Sequence, residues 1–163
     1  MEEQHHGKLI RKLVARYPLF IWLSGGNGSH RVGTGYRIAD PERFVLVGLI
    51  YPKVANDKYQ ETMVGDFSRI WSYHRAMLNA LAQRVPNISP CHCALAGFSN
   101  GAHCIDGYLK MREPAELFSA LIPVEGGGYR SGRYASQVCG KPVLVLWGER
   151  SSHRPTGPRL ADV

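Results

Sequence analysis

The chain reads as an α/β protein: a three-layer sandwich built on a mostly parallel sheet of about five strands. Three observations predict it. Five short, nearly unbroken apolar runs recur along the 163 residues, each of the length and character of a strand buried on both faces. Helical segments separate the runs, as in a parallel sheet covered by helices on both sides. Glycine-rich loops follow several of the runs at their carboxyl ends, where such sheets bind ligands.

Taken in order, Leu9, Ile10, Leu13 and Val14 lie at helical spacing and predict a short amphipathic lead-in helix over Lys8 to Arg16. Pro18 then opens the first strand, Leu19 to Leu23, which Ser24-Gly25-Gly26-Asn27-Gly28 stops. The second strand runs from Phe44 to Ile50 and ends at Tyr51-Pro52, and the stretch between, Ser29 to Arg43, has room for little regular structure. Phe67, Ile70, Trp71, His74, Met77, Leu78, Leu81 and Val85 repeat at intervals of mostly three and four residues, marking an amphipathic helix over Asp66 to Val85. Asp66 is its expected entry and Pro86-Asn87 its stop. The third strand, Cys93 to Gly97, leads into a helical run from Asn100 to Met111; the fourth, Phe118 to Val124, ends in Glu125-Gly126-Gly127-Gly128; the fifth, Pro142 to Trp147, ends in Gly148-Glu149.

Composition narrows the function classes. A 44% hydrophobic chain of this length supports one core, and no linker, repeat or low-complexity tract divides it, so residues 1–163 are expected to form a single domain. The net charge of +7 is dispersed, with short basic groups at Lys8 to Lys12 and Arg130 to Arg133 but no interleaved aromatics, which argues against nucleic acid as a partner. Cys91, Cys93, Cys104 and Cys139 match neither a disulfide framework nor a tetrahedral zinc site and read as buried thiols. The N-terminus lacks the apolar core of a signal peptide and no run is long enough to span a bilayer, so the expectation is a cytoplasmic protein without membrane contact.

Between the third strand and its helix stands Gly97-Phe98-Ser99-Asn100-Gly101. A bare GxSxG arises by chance in roughly one such chain in ten, so its placement at a strand-to-helix turn supplies the specificity. A serine hydroxyl attacks well only when a sharp bend projects it toward a base, and the bend leaves no room for side chains two residues to either side.

These residues and the order of elements from Leu19 to Glu149 resemble the α/β-hydrolase superfamily, in particular small esterase, carboxylesterase and dienelactone-hydrolase-like members. The resemblance implies a partial α/β-hydrolase fold, incomplete at the C-terminus, and a small-molecule ester substrate. It implies Ser99 as nucleophile, with the Asn100 N–H as one oxyanion donor and Gly26 or Asn27 N–H as the other. Leu-Ser-Gly-Gly-Asn-Gly at residues 23–28 is similar to the family's His-Gly-Gly-type loop, with Ser24 in place of the histidine. No metal or organic cofactor is implied.

The pattern breaks at the acid and the base. Where the family most often has Asp, three residues after Gly148, this chain has Ser151; Glu149 is a nearby substitute and Glu125 a second. The family's histidine follows one further strand, and no apolar run lies beyond Trp147. His153 is the base candidate, able to swing toward Ser99 from the acid loop. His103, one helical turn past Ser99, reads as structural; His30 is weaker still; His5, His6, His74 and His92 read as surface or helix-face residues.

Two functions remain open: an esterase-like hydrolase of small acyl esters, or a catalytically inactive or truncated domain of the same fold that binds a small molecule or a partner protein. A missing last strand exposes the Val143 to Trp147 edge, which predicts homo-oligomers or poor solubility.

Overall fold

The computed structural model describes residues 16–26, 28–52, 66–126 and 140–149. Its sheet is parallel throughout. Strands β1 (Tyr17–Leu23), β2 (Val45–Leu49), β3 (Ile88–Phe98) and β4 (Ala120–Val124) lie in the order β2-β1-β3-β4. In-register partners include Leu19 with Val45 on one side and with Cys93 on the other, and Leu95 with Leu121. Residues 143–146, labelled β5, add a fifth rung beyond β4 through the pairs Leu121–Val143 and Val124–Leu146. Leu144 and Leu146 N–H donate to Leu121 and Pro123 carbonyls, and Leu121 and Glu125 N–H donate back to Pro142 and Leu146.

Helices α1 (Gly35–Ile38), α2 (Phe67–Arg84), α3 (Asn100–Leu109) and α4 (Arg112–Leu117) connect the strands. The period-two alternation of each strand divides the core in two. On one face Leu19, Ile21, Leu23, Leu95 and Leu121 pack against Ile70 and Trp71 of α2 and Ile105 and Tyr108 of α3. On the other, Phe20, Trp22, Ala96 and Val124 meet Val32 and Ala39 around α1. Burial on both faces is why the strands read as unbroken apolar runs.

Helix α2 begins as its sequence predicts, with the Asp66 carboxylate accepting the Arg69 N–H at 3.2 Å. Its buried stripe is Ile70, Trp71 and His74. Trp71 Nε1 donates to Glu113 at 3.0 Å, and Arg75 pairs with the same carboxylate, so α2 and α4 are tied across the surface.

Several expectations need correction. Strand β3 starts at Ile88, five residues before the apolar run, because Tyr17 N–H donates to Asn87 and Tyr17 pairs with Ile88 before a register irregularity at Tyr17/Leu19. Strand β4 starts at Ala120, after the short helix α4 that the sequence did not announce. Cys93 and Cys104 are buried, with burial pushing both thiols up to about 12, but Cys91 is exposed. Of the two readings of His74, surface or helix-face, the structure excludes the first: it lies on the buried stripe of α2 and is 0% exposed. The lead-in helix lies outside the described residues apart from Arg16.

Candidate functional site

The sheet order places a crevice at the carboxyl ends of β1 and β3. The chain leaves β1 toward β2 on one flank, then returns through α2 to β3 on the opposite flank. The loops after β1 and β3 therefore diverge, and ligands bind in parallel sheets at such a switch point. The loop after β1 is residues 24–28; the loop after β3 is Ser99.

Ser99 has φ 52° and ψ −110°, a backbone conformation sparsely occupied by residues other than glycine and costly by about 1–3 kcal/mol. Its surroundings hold it there. Ser99 N–H donates to the Val124 carbonyl at 2.9 Å, and its own carbonyl accepts His103 N–H at 3.1 Å. The hydroxyl makes no capping bond to α3 although Ser99 stands at the N-cap. A helix N-terminus carries partial positive charge, and no acidic residue in the first turn of α3 offsets it.

The flanking glycines are demanded by contact. A Cβ on Gly97 would run into the backbone of Gly101, and one on Gly101 into the Leu23 carbonyl. Gly126, after β4, closes the third side: a Cβ there would stand 2.9 Å from the Ser99 carbonyl oxygen.

The loop after β1 is pressed against the same serine. A Cβ on Gly25 would lie 3.1 Å from Ser99 Cβ and 2.8 Å from the Phe98 ring. Gly28 N–H donates to the Gly25 carbonyl at 3.1 Å, closing a tight turn, and Asn100 Nδ2 donates to the Gly26 carbonyl at 3.1 Å. Gly26 adopts φ 56°, and Asn27 lies outside the described residues. Ser99, Asn100 and Gly26 are thus brought together from two loops more than 70 residues apart in sequence.

The acid candidates diverge. Glu125 also has a positive φ, 52°, and its carboxylate accepts the Gly148 N–H, so it clamps the end of β4 to the end of β5. Glu149 is exposed immediately beyond that clamp. Among the histidines, His153 lies outside the described residues, His30 is exposed, and His92 is exposed with its Nδ1 against Ser89 Oγ at 3.0 Å. His103 sits one turn into α3, half-buried, as the spacing predicts. His74 has both ring nitrogens engaged, Nε2 with the Ile50 carbonyl at 2.8 Å and Nδ1 with the Tyr108 hydroxyl at 2.5 Å. Burial pushes its pKa down to about 4, opposed by the bond to Ile50.

Sequence reasoning missed Tyr51. It read as the residue that ends β2, yet its hydroxyl donates to the Ser24 carbonyl at 3.1 Å at the base of the glycine loop. No group of three or more His, Cys, Asp or Glu among the described residues is placed to hold a metal ion, and none of the described helices is long and apolar enough to cross a membrane.

A parallel sheet in this order, flanked by helices, is an α/β-hydrolase-like fold, and solved structures share it. The chain superposes on YahD with malic acid at TM-score 0.55 and 12% identity, covering 83% of this chain and 84% of that one. It matches esterase PE8 at TM-score 0.51 and 21% identity, over 82% and 69% of the two chains. A bacterial heroin esterase matches at TM-score 0.50 and 14% identity, over 89% of this chain and 51% of that one. The chain spans about half the length of the heroin esterase and 38% of a thermostable esterase that is also similar. At these identities the likeness establishes the fold. No protein-family model matches the sequence, and no curated protein does.

Proposed function

We propose that the chain is a serine hydrolase of esterase type that cleaves a small acyl ester through a covalent Ser99 acyl-enzyme. The observation that carries this reading is the Ser99 backbone: a non-glycine residue held at φ 52° by packed glycines, with its hydroxyl left out of helix capping. Strain of this kind persists only where the surroundings over-determine it, and it concentrates at active sites.

In the proposed reaction Ser99 Oγ bonds to the ester carbonyl carbon as its proton passes to a base. The electron pair moves to the carbonyl oxygen, where the N–H groups of Asn100 and of Gly26 or Asn27 receive it. Collapse breaks the bond to the alcohol oxygen, which takes the proton from the base. Water then repeats the sequence on the acyl-enzyme and frees the acid. His153 is the proposed base. Glu149 is the proposed acid rather than Glu125, because the Glu125 carboxylate already holds Gly148. Ser99 N–H is committed to Val124, so the oxyanion donors must come from the next residue and from the loop after β1.

Hydrolysis of short-chain aryl esters tests the reading. Wild type should turn over with saturation kinetics, and Ser99→Ala should fall to the background rate. Equal rates in both would defeat it and favour a binding role for the fold. His153→Ala should remove the activity as Ser99→Ala does; loss in the serine variant alone would assign the base elsewhere.

A further inference from the structure

Tyr51 and His74 are buried polar residues that the reaction above does not use, yet they connect its two loops. Tyr51 supports the glycine loop from beneath: its hydroxyl holds the Ser24 carbonyl at one end, and its ring fills the space beside Gly28 at the other, where a Cβ would collide with it. Gly28 has φ 72°, so the loop passes over the ring in a conformation suited to glycine. Between those ends Gly25 lies against Ser99, and the Gly26 carbonyl is held by Asn100.

Tyr51 is itself fixed from α2 and α3. The Ile50 carbonyl, one peptide before it, receives the His74 Nε2–H at 2.8 Å. In the neutral ring, with its one proton on Nε2, His74 Nδ1 accepts the Tyr108 O–H at 2.5 Å. The rings of Tyr51 and His74 stand 5.7 Å apart, and those of His74 and Tyr108 6.0 Å apart and nearly perpendicular. Tyr108 belongs to α3, the helix that begins directly after Ser99. A closed path therefore runs from the serine's helix through Tyr108, His74 and Ile50–Tyr51 to Ser24 and back to the serine through Gly25.

We infer that Tyr51 is a positioning residue, held by the His74–Tyr108 pair, that sets the amides of the glycine loop at the distance from Ser99 that an oxyanion requires. The inference rests on the proposed serine-hydrolase reading. Donors displaced by a fraction of an ångström lose much of their effect on a transition state while barely altering ground-state binding. Tyr51 acts at the rate of the chemical step.

The test is inactivation of the full chain by a fluorophosphonate, whose phosphoryl oxygen occupies the oxyanion position as Ser99 bonds to phosphorus and fluoride leaves. The rate constant kinact and the binding constant KI are read separately by intact mass. Tyr51→Phe keeps the ring over Gly28 and removes only the bond to Ser24; it should lower kinact roughly tenfold to a hundredfold with KI unchanged. His74→Leu should behave alike, and His74→Gln should recover part of the loss, since its amide can donate to Ile50 and accept from Tyr108. Ile70→Val, a core change one turn earlier on α2, should lower the melting temperature and leave kinact as in wild type. Wild-type kinact in a folded Tyr51→Phe overturns the inference whether or not His74→Leu folds. A wild type that takes no label when folded overturns the hydrolase reading and this inference with it; a wild type that labels, with variants that label equally, overturns this inference alone.

Discussion

The pH dependence of stability should carry the signature of His74. Its folded-state pKa lies near 4 against an ordinary 6.5, because burial penalises the imidazolium more than the Ile50 carbonyl favours it. Above pH 6.5 both folded and unfolded chains hold the residue neutral and its contribution is fully present. Between pH 6.5 and 4 the unfolded chain takes up a proton that the folded chain refuses, so stability falls as pH falls; below 4 both are protonated and the loss ends. The gap of 2.5 units at 1.36 kcal/mol each amounts to about 3 kcal/mol. The neighbours do not mask it: burial raises the pKa values of Tyr51, Tyr108 and Cys104, so all three stay neutral across this range. Urea unfolding of wild type and His74→Gln at steps between pH 7.5 and 4.5 measures the difference. Wild type should lose stability relative to the variant progressively over that interval, reaching most of about 3 kcal/mol at the acid end. Parallel curves for the two proteins would refute both the burial of an uncharged His74 and its pairing with Ile50 and Tyr108.

Other consequences follow from the same contacts. Gly101→Ala drives a methyl into the Leu23 carbonyl and should cost about 2–4 kcal/mol by thermal unfolding, although alanine is the better helix former; a neutral result would contradict the tight β1–α3 approach. Ser99→Gly should raise stability by about 1 kcal/mol through release of the positive-φ strain, whereas Ser99→Ala should not. Asn100→Ala removes the bond to Gly26 and should cost about 1 kcal/mol and increase amide exchange across the glycine loop. Leu144 in β5 and Trp147 just after it are 51% and 45% exposed beside the open edge of the sheet; light scattering should show a concentration-dependent dimer that Leu144→Glu with Trp147→Glu abolishes, and a monomer at all concentrations would remove the homo-oligomer proposal.

The strands were legible because each packs apolar side chains on both faces of the sheet, which in the central β1 gives the unbroken buried run Phe20-Ile21-Trp22-Leu23. Helix α2 was legible through its stripe of Phe67, Ile70, Trp71 and His74. The start of β3 was not, since Ser89-Pro90-Cys91-His92 carries no strand pattern and falls in the register irregularity between the Tyr17–Ile88 and Leu19–Cys93 pairs. Helix α4 spans only Arg112–Leu117, too short for a periodicity to register, with Pro114 tolerated in its first turn. The sharp turn between β3 and α3 was legible because such a turn restricts residue type locally, and the structure sets its Ser99 and Asn100 beside Gly25 and Gly26 of the glycine loop. The Tyr51–Ser24 and His74–Tyr108 bonds join residues 27 and 34 positions apart, and nothing in the local sequence marks either partner. His74 shows the limit well: its place on the helical stripe was readable, its burial beside a carbonyl and a hydroxyl was not.

The most direct test of the proposed chemistry is intact-mass analysis of the folded chain after incubation with a fluorophosphonate, with Ser99→Ala alongside. The account predicts one adduct per chain in wild type, located by digestion at Ser99, and none in the variant. A folded wild type that remains unmodified, or an adduct that persists in Ser99→Ala, would contradict it.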